Sequence, residues 1–241
     1  MLAAGAGTRL RPLTILRPKA LCPLGDRPLV DHALARFDGL TQSIAVNVHH
    51  GRDQLEAHLA GRVHLSFEEG GPLGTAGALG HLRDWIAGRL AVVVNADTWC
   101  PASLASLLDG WDGERIRILV AGATEFVPGV PVAGALLPWR EVAALADAPG
   151  ALTPLWLRAA ASGRVDTVVL DDGVPFADCG TPASYLAANL RWSAGAPVIG
   201  TGAVVEGTVE RSVVWPGAYV HPHEHLVDAI RADERITVLV R

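Results

Sequence analysis

The stretch GAGTRLRPLTILRPKALCPLG (residues 5–25) carries most of the information about the fold and function of this chain. It follows Leu2-Ala3-Ala4, which we predict to be the end of a β-strand. The small residues Gly5-Ala6-Gly7 then allow backbone N–H groups to approach a ligand closely, and successive amides of this kind form a concave anion-binding site. The stretch also contains Lys19, the only lysine in a 241-residue chain that otherwise uses Arg for its basic side chains.

Beyond this loop, short β-branched runs alternate with segments of helical periodicity. The predicted strands are IAVNV (residues 44–48), VHLSF (63–67), LAVVVN (90–95), IRILVA (116–121) and DTVVL (166–170). The predicted helices cover residues 28–37, 75–86, 104–111, 152–161 and 182–192. This alternation predicts an α/β fold in which helices cover both faces of a mostly parallel sheet. Ligands bind beyond the carboxyl ends of the strands in such sheets, so the loops after the strands are the candidate site.

The composition argues against a membrane protein and against a nucleic-acid partner. Half of the residues are hydrophobic, but Gly, Pro or charged residues keep every apolar run well below the roughly 20 residues that a membrane span requires. The net charge is −5 and the arginines are dispersed, so no basic face is expected. The three cysteines, Cys22, Cys100 and Cys179, fit neither a disulfide framework nor a zinc site, and we therefore expect a cytoplasmic protein.

The sequence changes character after about residue 195. The segment APVIGTGAVVEGTVERSVVWPGAYV is rich in Gly and Val, and Ile199 and Val205, like Val214 and Val220, are six positions apart, as in the hexapeptide coils of a left-handed β-helix. So few coils cannot bury a core of their own. We therefore predict a main domain over residues 1–194 and a partial β-helix tail over residues 195–241. The tail is expected to pack on the main domain or on a second copy of the chain, as a homo-oligomer.

A longer pattern in the opening stretch indicates a family. The loop is neither G-x-x-x-x-G-K-[ST] nor G-x-G-x-x-G, so a P-loop kinase and a dinucleotide-binding dehydrogenase lose their main support. The pattern G-x-G-T-R-L-x-P-L-T, followed by P-K-A-L-C-P-L-G-x-x-P-L up to Leu29, resembles the signature of the sugar-1-phosphate nucleotidyltransferases. The resemblance implies a Rossmann-like fold that transfers a nucleotidyl group from an NTP to a sugar 1-phosphate and releases pyrophosphate.

The resemblance also implies roles for the opening residues. Arg9 and Lys19 are the implied catalytic cations, and Lys19 is also expected to bind the phosphate of the sugar substrate. A compact ammonium on a flexible stem can follow the charge where two anions meet, whereas a guanidinium imposes bidentate geometry. This difference would explain a single Lys, and the alternative is chance, since a composition biased towards Arg could leave one Lys anywhere. The implied nucleotide-binding residues are Leu2, Ala3, Ala4, Gly5, Gly7, Thr8, Arg9 and, further along the chain, Asn95.

Two aspartates resemble the metal ligands of the same family. In VVVNADTW an apolar strand leads directly into Asp97, and in PFADCGTPASYLAAN Asp178 precedes a Gly-Thr-Pro turn into a helix. Mg²⁺ takes oxygen ligands and is typically held by one or two carboxylates together with substrate phosphates. We therefore expect Asp97 and Asp178 to be catalytic residues that bind Mg²⁺.

The segment FEEGGPLGTAGALGHLRDW resembles the base-recognition segment of the family, and the resemblance implies that Glu69, Gly74 and Thr75 face the nucleobase. Guanine presents two adjacent donors, N1–H and N2–H₂, which one carboxylate can accept together, whereas uracil and thymine present a single donor. Glu69 therefore favours GTP. The PLGTAG motif is most similar to mannose-1-phosphate guanylyltransferases, whereas VNVHHGRDQLEAHL and TPLWLRAAASGRV are more similar to N-acetylmuramic acid 1-phosphate uridylyltransferases.

The segment expected to bind the sugar is short. ATEFVPGVPVAGALLPW lacks the Glu-Lys-Pro element common in the family, although Gly134 matches the glycine that contacts the sugar. The leading hypothesis is an enzyme that uses GTP and mannose 1-phosphate or a similar sugar. One alternative is a UTP-dependent enzyme for an amino-sugar 1-phosphate. Another is a catalytically silent homologue that binds nucleotide sugars and regulates an active paralogue, although such a binder has no need of the complete set of Arg9, Lys19, Asp97 and Asp178.

Overall fold

The computed structural model describes residues 1–240, which form an α/β body followed by a β-rich tail. The strands of the body are β1 (Pro23–Leu24), β2 (Arg27–Pro28), β3 (Ala45–Val48), β4 (His64–Phe67), β5 (Ala91–Val93), β6 (Thr98–Trp99), β7 (Ile116–Val120), β8 (Val132–Leu137), β9 (Val165–Val169) and β10 (Ala177–Asp178). The helices are α1 (Leu13–Leu16), α2 (Leu29–Ala35), α3 (Arg52–Leu59), α4 (Gly74–His81), α5 (Arg83–Ile86), α6 (Trp139–Ala143), α7 (Leu152–Ala161) and α8 (Pro182–Trp192). Short 3₁₀ turns occur at Thr8–Leu10, Lys19–Leu21 and Ala105–Leu107.

The central sheet has the order β4, β3, residues 1–3, β5, β8, β7 and β9. Leu2 joins the two halves, because its N–H donates to Val94 O and its carbonyl accepts from Ala96 N, while Met1 O accepts from Asn47 N. β8 runs antiparallel to β5 and β7, and the other strands share one direction. The prediction of a mostly parallel, Rossmann-like α/β sheet is confirmed.

Helices cover both faces of this sheet because its strands are apolar on both sides. On one face, Val46 and Leu119 pack with residues of α2 and α3. On the other face, the neighbouring strand residues Ala45 and Ile118 pack with residues of α4, α5, α6 and α7. Successive side chains of a strand point to opposite faces, so a continuous apolar run fills both cores at once.

The tail consists of short strands that stack in parallel. Its strands are β11 (Val198–Ile199), β12 (Val204–Val205), β13 (Thr208–Glu210), β14 (Val213–Val214), β15 (Tyr219–Val220), β16 (His225–Val227), β17 (Ala229–Arg231) and β18 (Thr237–Leu239). β11 pairs with β14, β12 with β15 and β13 with β16, so two turns of chain lie on each other. Ile199 pairs with Val214 and Val205 with Val220, which places the two six-residue pairs of the sequence pattern in register.

The tail shares a hydrophobic core with the opening stretch. Val213, Trp215 and Ile230 of the tail are buried against residues that include Leu24 and Tyr185. The indole N–H of Trp215 donates to Tyr185 Oη at 2.9 Å, and that hydroxyl donates to the carbonyl oxygen of Pro23. The tail therefore stabilises the segment that follows Lys19.

Two of the predicted helices differ from the structure. The helix expected over residues 104–111 is wrong, since only the 3₁₀ turn Ala105–Leu107 forms there, before Gly110 adopts a positive φ of 59°. The helix expected over residues 75–86 is divided at Leu82 into α4 and α5. Among residues 1–240, no helix combines the length and the apolar character that a membrane crossing needs.

Candidate active site

The opening loop lies at the carboxyl end of residues 1–3 and packs directly on Lys19. Gly7 has a φ of +61°, and a Cβ at this position would lie 2.8 Å from Thr14 Cγ2 and 3.2 Å from Lys19 Cβ. Thr14 Oγ1 donates to the carbonyl of Gly7 at 2.9 Å, which holds the loop in this conformation. A side chain at residue 7 would therefore strain the backbone and displace Lys19.

Lys19 lies between the two aspartates that the sequence singles out. Its Nζ is 2.6 Å from Asp97 Oδ2 and 3.3 Å from Asp178 Oδ1, and its side chain is only 9% exposed. Arg9 is more exposed and its Nη2 is 3.9 Å from Asp178 Oδ2. The structure thus brings together the four residues expected to be catalytic, as two cations and two carboxylates.

A small antiparallel ladder brings Asp178 to Asp97. β10 pairs with β6, with Asp178 opposite Thr98, and Cys179 N donates to Asp97 O at 3.2 Å. Immediately afterwards Thr181 caps α8, because its Oγ1 accepts from Ser184 N at 3.2 Å. The ladder and the cap hold both carboxylates on rigid elements.

Two adjoining cavities open at this point. The smaller, of about 200 Å³, is lined by Leu2, Ala3, Gly5, Gly7, Thr8, Arg9, Lys19, Ala20, Ala96, Asp97 and Gly180. The larger, of about 520 Å³, shares Leu2, Arg9 and Asp97 and extends past Thr75, Asn95, Gly134, Thr153, Trp156, Phe176 and Asp178. Most of the residues expected to bind nucleotide or sugar phosphate therefore line one continuous cleft at the carboxyl ends of the strands.

Three of the expected residues line neither cavity. Ala4 is buried behind the loop. The Glu69 carboxylate is 80% exposed and forms an ion pair with Arg52 at 2.9 Å. Gly74 lies beneath Gly150, whose N–H donates to Leu73 O and whose carbonyl accepts from Ala76 N.

Thr75 faces the larger cavity, but its hydroxyl already has a partner in the chain. Thr75 Oγ1 accepts from Leu152 N at 2.8 Å, at the first residue of α7. The hydroxyl therefore satisfies one of the N–H groups that a helix leaves free at its start. It retains its own O–H for a ligand.

A buried polar network beside the cleft is not evident from the sequence. Asn47 Oδ1 accepts from Ala3 N at 2.7 Å, and Asn47 Nδ2 donates to Glu68 Oε1 at 2.7 Å. Glu68 Oε2 in turn accepts from Leu73 N at 2.8 Å. Glu68, rather than its neighbour Glu69, thus holds the Gly-rich turn to the first strand. Two adjacent polar residues at the end of a predicted strand are the only sequence signal for this network.

Three other residues that line the cleft were not among the expected site residues. Gly180 lines the smaller cavity, and a Cβ there would lie 3.0 Å from both Arg9 Nη2 and Asp178 Oδ1. The Gly-Thr-Pro turn after Asp178 is its sequence signal. Thr153 and Trp156 of α7 line the larger cavity, and no motif marks them.

The two carboxylates fit Mg²⁺ and do not fit a closed zinc site. Both contact the same ammonium, so one cation can reach both. Among residues 1–240, no group of three or more His, Cys, Asp or Glu side chains is placed to hold a metal. Two carboxylate ligands suit a hard cation that completes its shell with phosphate oxygens and water, whereas structural zinc requires four protein ligands.

The cysteines near the site are chemically quiet. Cys179 directly follows Asp178, Cys22 comes three residues after Lys19, and both thiols are buried. Burial raises the pKa of each to about 12, although the ammonium of Lys19 opposes this shift. Neither thiol is a nucleophile at neutral pH.

Comparisons with known proteins agree with this geometry. Residues 1–124 match the nucleotidyl transferase family. The chain is 32% identical to the N-acetylmuramate alpha-1-phosphate uridylyltransferase of Caulobacter vibrioides, over 79% of this chain and 95% of that protein. It is 31% identical to the mannose-1-phosphate guanylyltransferase of Mycobacterium tuberculosis, over 45% of this chain and 32% of that protein.

A solved structure shows the same fold. The UDP-glucose pyrophosphorylase from Acinetobacter baumanii superposes with a TM-score of 0.62 at 15% identity, over 80% of this chain and 91% of that one. The family match covers half of the chain, and the uridylyltransferase is matched over nearly its whole length. The chain therefore belongs to the nucleotidyl transferase family, as an enzyme of the sugar-1-phosphate nucleotidyltransferase type that its opening motif resembles.

Proposed function

We propose that this enzyme transfers the nucleoside monophosphate of an NTP to a sugar 1-phosphate and releases pyrophosphate, with GTP and mannose 1-phosphate or a similar sugar as the preferred pair. The observation that carries the reaction is the position of Lys19. A buried ammonium lies between two carboxylates, at the wall of a cavity that the glycine-rich loop also lines. The triphosphate binds in the smaller cavity and the sugar in the larger one.

The reaction needs charge neutralisation more than it needs a base. A phosphate oxygen of the sugar 1-phosphate attacks the α-phosphorus of the NTP, and pyrophosphate leaves. That oxygen is already anionic near pH 7, because the second pKa of a phosphate monoester is about 6. The obstacle is the approach of two anions, which the amides of the loop, Arg9 and Lys19 reduce by binding and orienting both phosphates.

Asp97 and Asp178 would hold Mg²⁺ in this reaction. A bound ion would supply Lewis-acid stabilisation of the phosphate charge. The chain's own contribution is a pair of carboxylates fixed by the β6–β10 ladder and by the cap of α8. We propose the remaining nucleotide contacts for Leu2, Ala3, Gly5, Gly7, Thr8 and Asn95, and the sugar contact for Gly134.

The base preference rests on Glu69, whose carboxylate is exposed and paired with Arg52. For this residue to bind guanine, the turn over residues 69–73 must close over the cleft, with Gly70 and Gly71 at positive φ as its flexible positions. We expect Glu69→Gln to lower the preference for GTP over UTP in kcat/KM by about 10-fold, the loss of one charge-assisted pair. Arg52→Gln, which removes only the partner of Glu69, is the matched control. An unchanged base preference in Glu69→Gln would remove the carboxylate from base recognition.

A UTP-dependent reaction on an amino-sugar 1-phosphate is the second candidate. The observation that favours it is the match to a uridylyltransferase over 79% of this chain and 95% of that protein, whereas the guanylyltransferase match covers 45% of this chain and 32% of that protein. The two candidates share the phosphate site and differ only in the base and sugar contacts.

A pyrophosphate-release assay tests these proposals directly. Each of GTP, UTP, dTTP and ATP is combined with mannose 1-phosphate, N-acetylglucosamine 1-phosphate and N-acetylmuramic acid 1-phosphate, in the presence and absence of Mg²⁺. Turnover with GTP and mannose 1-phosphate supports the first candidate, and turnover only with UTP and an amino sugar supports the second. Binding of a nucleotide sugar without turnover for any pair would instead support a regulatory homologue.

A further inference from the structure

The Lys19 ammonium occupies the position at which Asp97 and Asp178 converge. Its Nζ lies 2.6 Å from one carboxylate and 3.3 Å from the other, and the residue is 7% exposed. An ammonium has three N–H donors, and these contacts use two of them. The third is available to a ligand in the smaller cavity, which Lys19 also lines.

The local charges balance without any ligand. Arg9 adds a second cation near Asp178, so two positive and two negative groups face each other. A divalent cation that enters alone must share the carboxylates with the ammonium, and like charges at such distances in a partly buried site repel strongly. The bare protein is therefore a poor binder of divalent metal, in spite of its two carboxylates.

A triphosphate changes this balance. Its oxygens offer the ammonium a new anionic partner within the same cavity, and the four-carbon stem of Lys19 allows Nζ to move toward it. Arg9 is 71% exposed and lies 3.9 Å from Asp178 alone, so solvent screens its charge and it does not neutralise the two carboxylates as Lys19 does. Removal of Nζ from the carboxylates frees their oxygens for the metal.

We propose that Lys19 is an internal counter-ion that couples divalent-metal binding to nucleotide binding. The carboxylates accept the metal only when a triphosphate accepts the ammonium, so metal and nucleotide bind cooperatively. This inference rests on the proposed nucleotide site and adds a regulation of that site. By reciprocity, the metal raises nucleotide affinity by the same factor as the nucleotide raises metal affinity.

Binding of Mn²⁺ to the nucleotide-free protein, followed by the electron paramagnetic resonance of free Mn²⁺, tests the coupling without turnover. We expect Lys19→Met to bind Mn²⁺ at least 10-fold more tightly than the wild type, because the carboxylates lose their competing cation. Arg27→Met is the matched control, since Arg27 is exposed and pairs only with Asp26 at 3.7 Å. The control should bind Mn²⁺ as the wild type does.

Thermal unfolding supplies a second readout that is independent of the first. Lys19→Met leaves two carboxylates together without their cation, so its melting temperature in EDTA should fall below that of the wild type. Millimolar Mn²⁺ should restore most of this loss and raise the wild-type value much less, since a ligand stabilises the state that binds it. Lys19→Gln, which keeps a polar side chain of similar length, should behave like Lys19→Met.

Two outcomes overturn the coupling. One is an equal Mn²⁺ affinity in the wild type, Lys19→Met and Lys19→Gln, and the other is an equal melting-temperature gain in all three. Either result alongside normal wild-type turnover removes this inference and leaves the proposed function standing. Absence of turnover for every substrate pair, with a tighter Mn²⁺ site in Lys19→Met, removes the proposed function and leaves the counter-ion role of Lys19 standing.

Discussion

Lys19, Asp97 and Asp178 meet although 78 and 159 residues separate the lysine from its two partners. Each had a local signal: a unique lysine in a conspicuous loop, an aspartate directly after an apolar strand, and an aspartate before a Gly-Thr-Pro turn. Only the family resemblance predicted that these three residues belong to one site. The Asn47–Glu68 network had only a weak signal, two adjacent polar residues after a predicted strand, because a buried carboxamide and an exposed one look alike in a sequence.

The first prediction concerns Asp97. Asp97→Asn should lower kcat/KM by about 100-fold or more, the scale of losing several kcal/mol of charge stabilisation at the transferred phosphate. The fold should persist, because the Asp97 side chain is partly exposed and Asn has nearly the same shape as Asp. Steady-state pyrophosphate release and circular dichroism measure the two effects. Asp26→Asn, at an exposed ion pair, is the control and should retain full activity.

The second prediction distinguishes Lys19 from the arginines that surround it in the sequence. Lys19→Arg keeps the charge but places a larger, planar group in a side-chain position that is 9% exposed and closed by Gly7. We expect a loss of at least about 10-fold in kcat/KM, because the fork cannot contact both carboxylates and still follow the phosphate. Wild-type turnover in this variant would show that charge alone is required.

At the scale of elements, the strands were predicted more accurately than the helices. β3, β4, β5, β7 and β9 lie within one residue of their β-branched runs or inside them, because burial on both faces demands such runs. β8 was not predicted, since Gly and Ala interrupt its apolar pattern, and its antiparallel direction depends on neighbours distant in sequence. α7 and α8 match their predicted bounds, whereas residues 104–111 carry helical spacing without becoming a helix.

The base-recognition segment illustrates why part of the site could not be predicted. Gly74 and Thr75 were assigned to the nucleobase by resemblance, but in the folded chain Gly74 lies against Gly150 and Thr75 bonds Leu152. Leu152 lies 77 residues after Thr75 in the sequence. The sequence of the turn contains no signal for a contact at that distance. Their role toward a base remains a prediction.

The third prediction concerns pH and α2. His32 is buried, its Nε2–H donates to Leu24 O at 2.8 Å, and burial lowers its pKa below the ordinary value of 6.5. The unfolded chain therefore takes up a proton at a higher pH than the folded one, and this contribution to stability is lost as pH falls below about 6.5 toward the folded pKa. Urea unfolding between pH 7 and 5 should show a decline of at most about 1.4 kcal/mol per pH unit from this residue. His32→Gln should flatten that decline, and an identical slope in the variant would contradict the assignment.

At the scale of the whole molecule, the tail is part of the core rather than an attachment. The six-residue spacing correctly indicated stacked short strands, and the fold prediction was confirmed to that extent. The spacing could not show what the tail packs on, because the contacts are between Trp215, Tyr185 and Pro23 at widely separated positions. The division at residue 195 and the homo-oligomer remain predictions.

The fourth prediction tests this shared core. Tyr185→Phe should lower the free energy of unfolding by about 2–3 kcal/mol, because it leaves the buried indole N–H of Trp215 and the carbonyl of Pro23 without partners. Tyr219→Phe removes a hydroxyl that bonds Glu206 at the surface and should cost less than about 1 kcal/mol. Denaturant unfolding of both variants makes the comparison. An equal loss of unfolding free energy in the two variants would mean that the hydrogen bonds of the Tyr185 hydroxyl contribute little to the shared core.

The contact between Tyr185, Trp215 and Pro23 also bears on how the protein is made. Pro23 emerges from the ribosome well before Tyr185 and Trp215, yet the side chains of these two later residues hold the segment after Lys19. Contacts of such long sequence separation form late and slow the search for the native state. We therefore expect the opening loop and Lys19 to become ordered in a nascent chain only after Trp215 has been made, so that a chain stalled before Trp215 would lack a fixed opening segment.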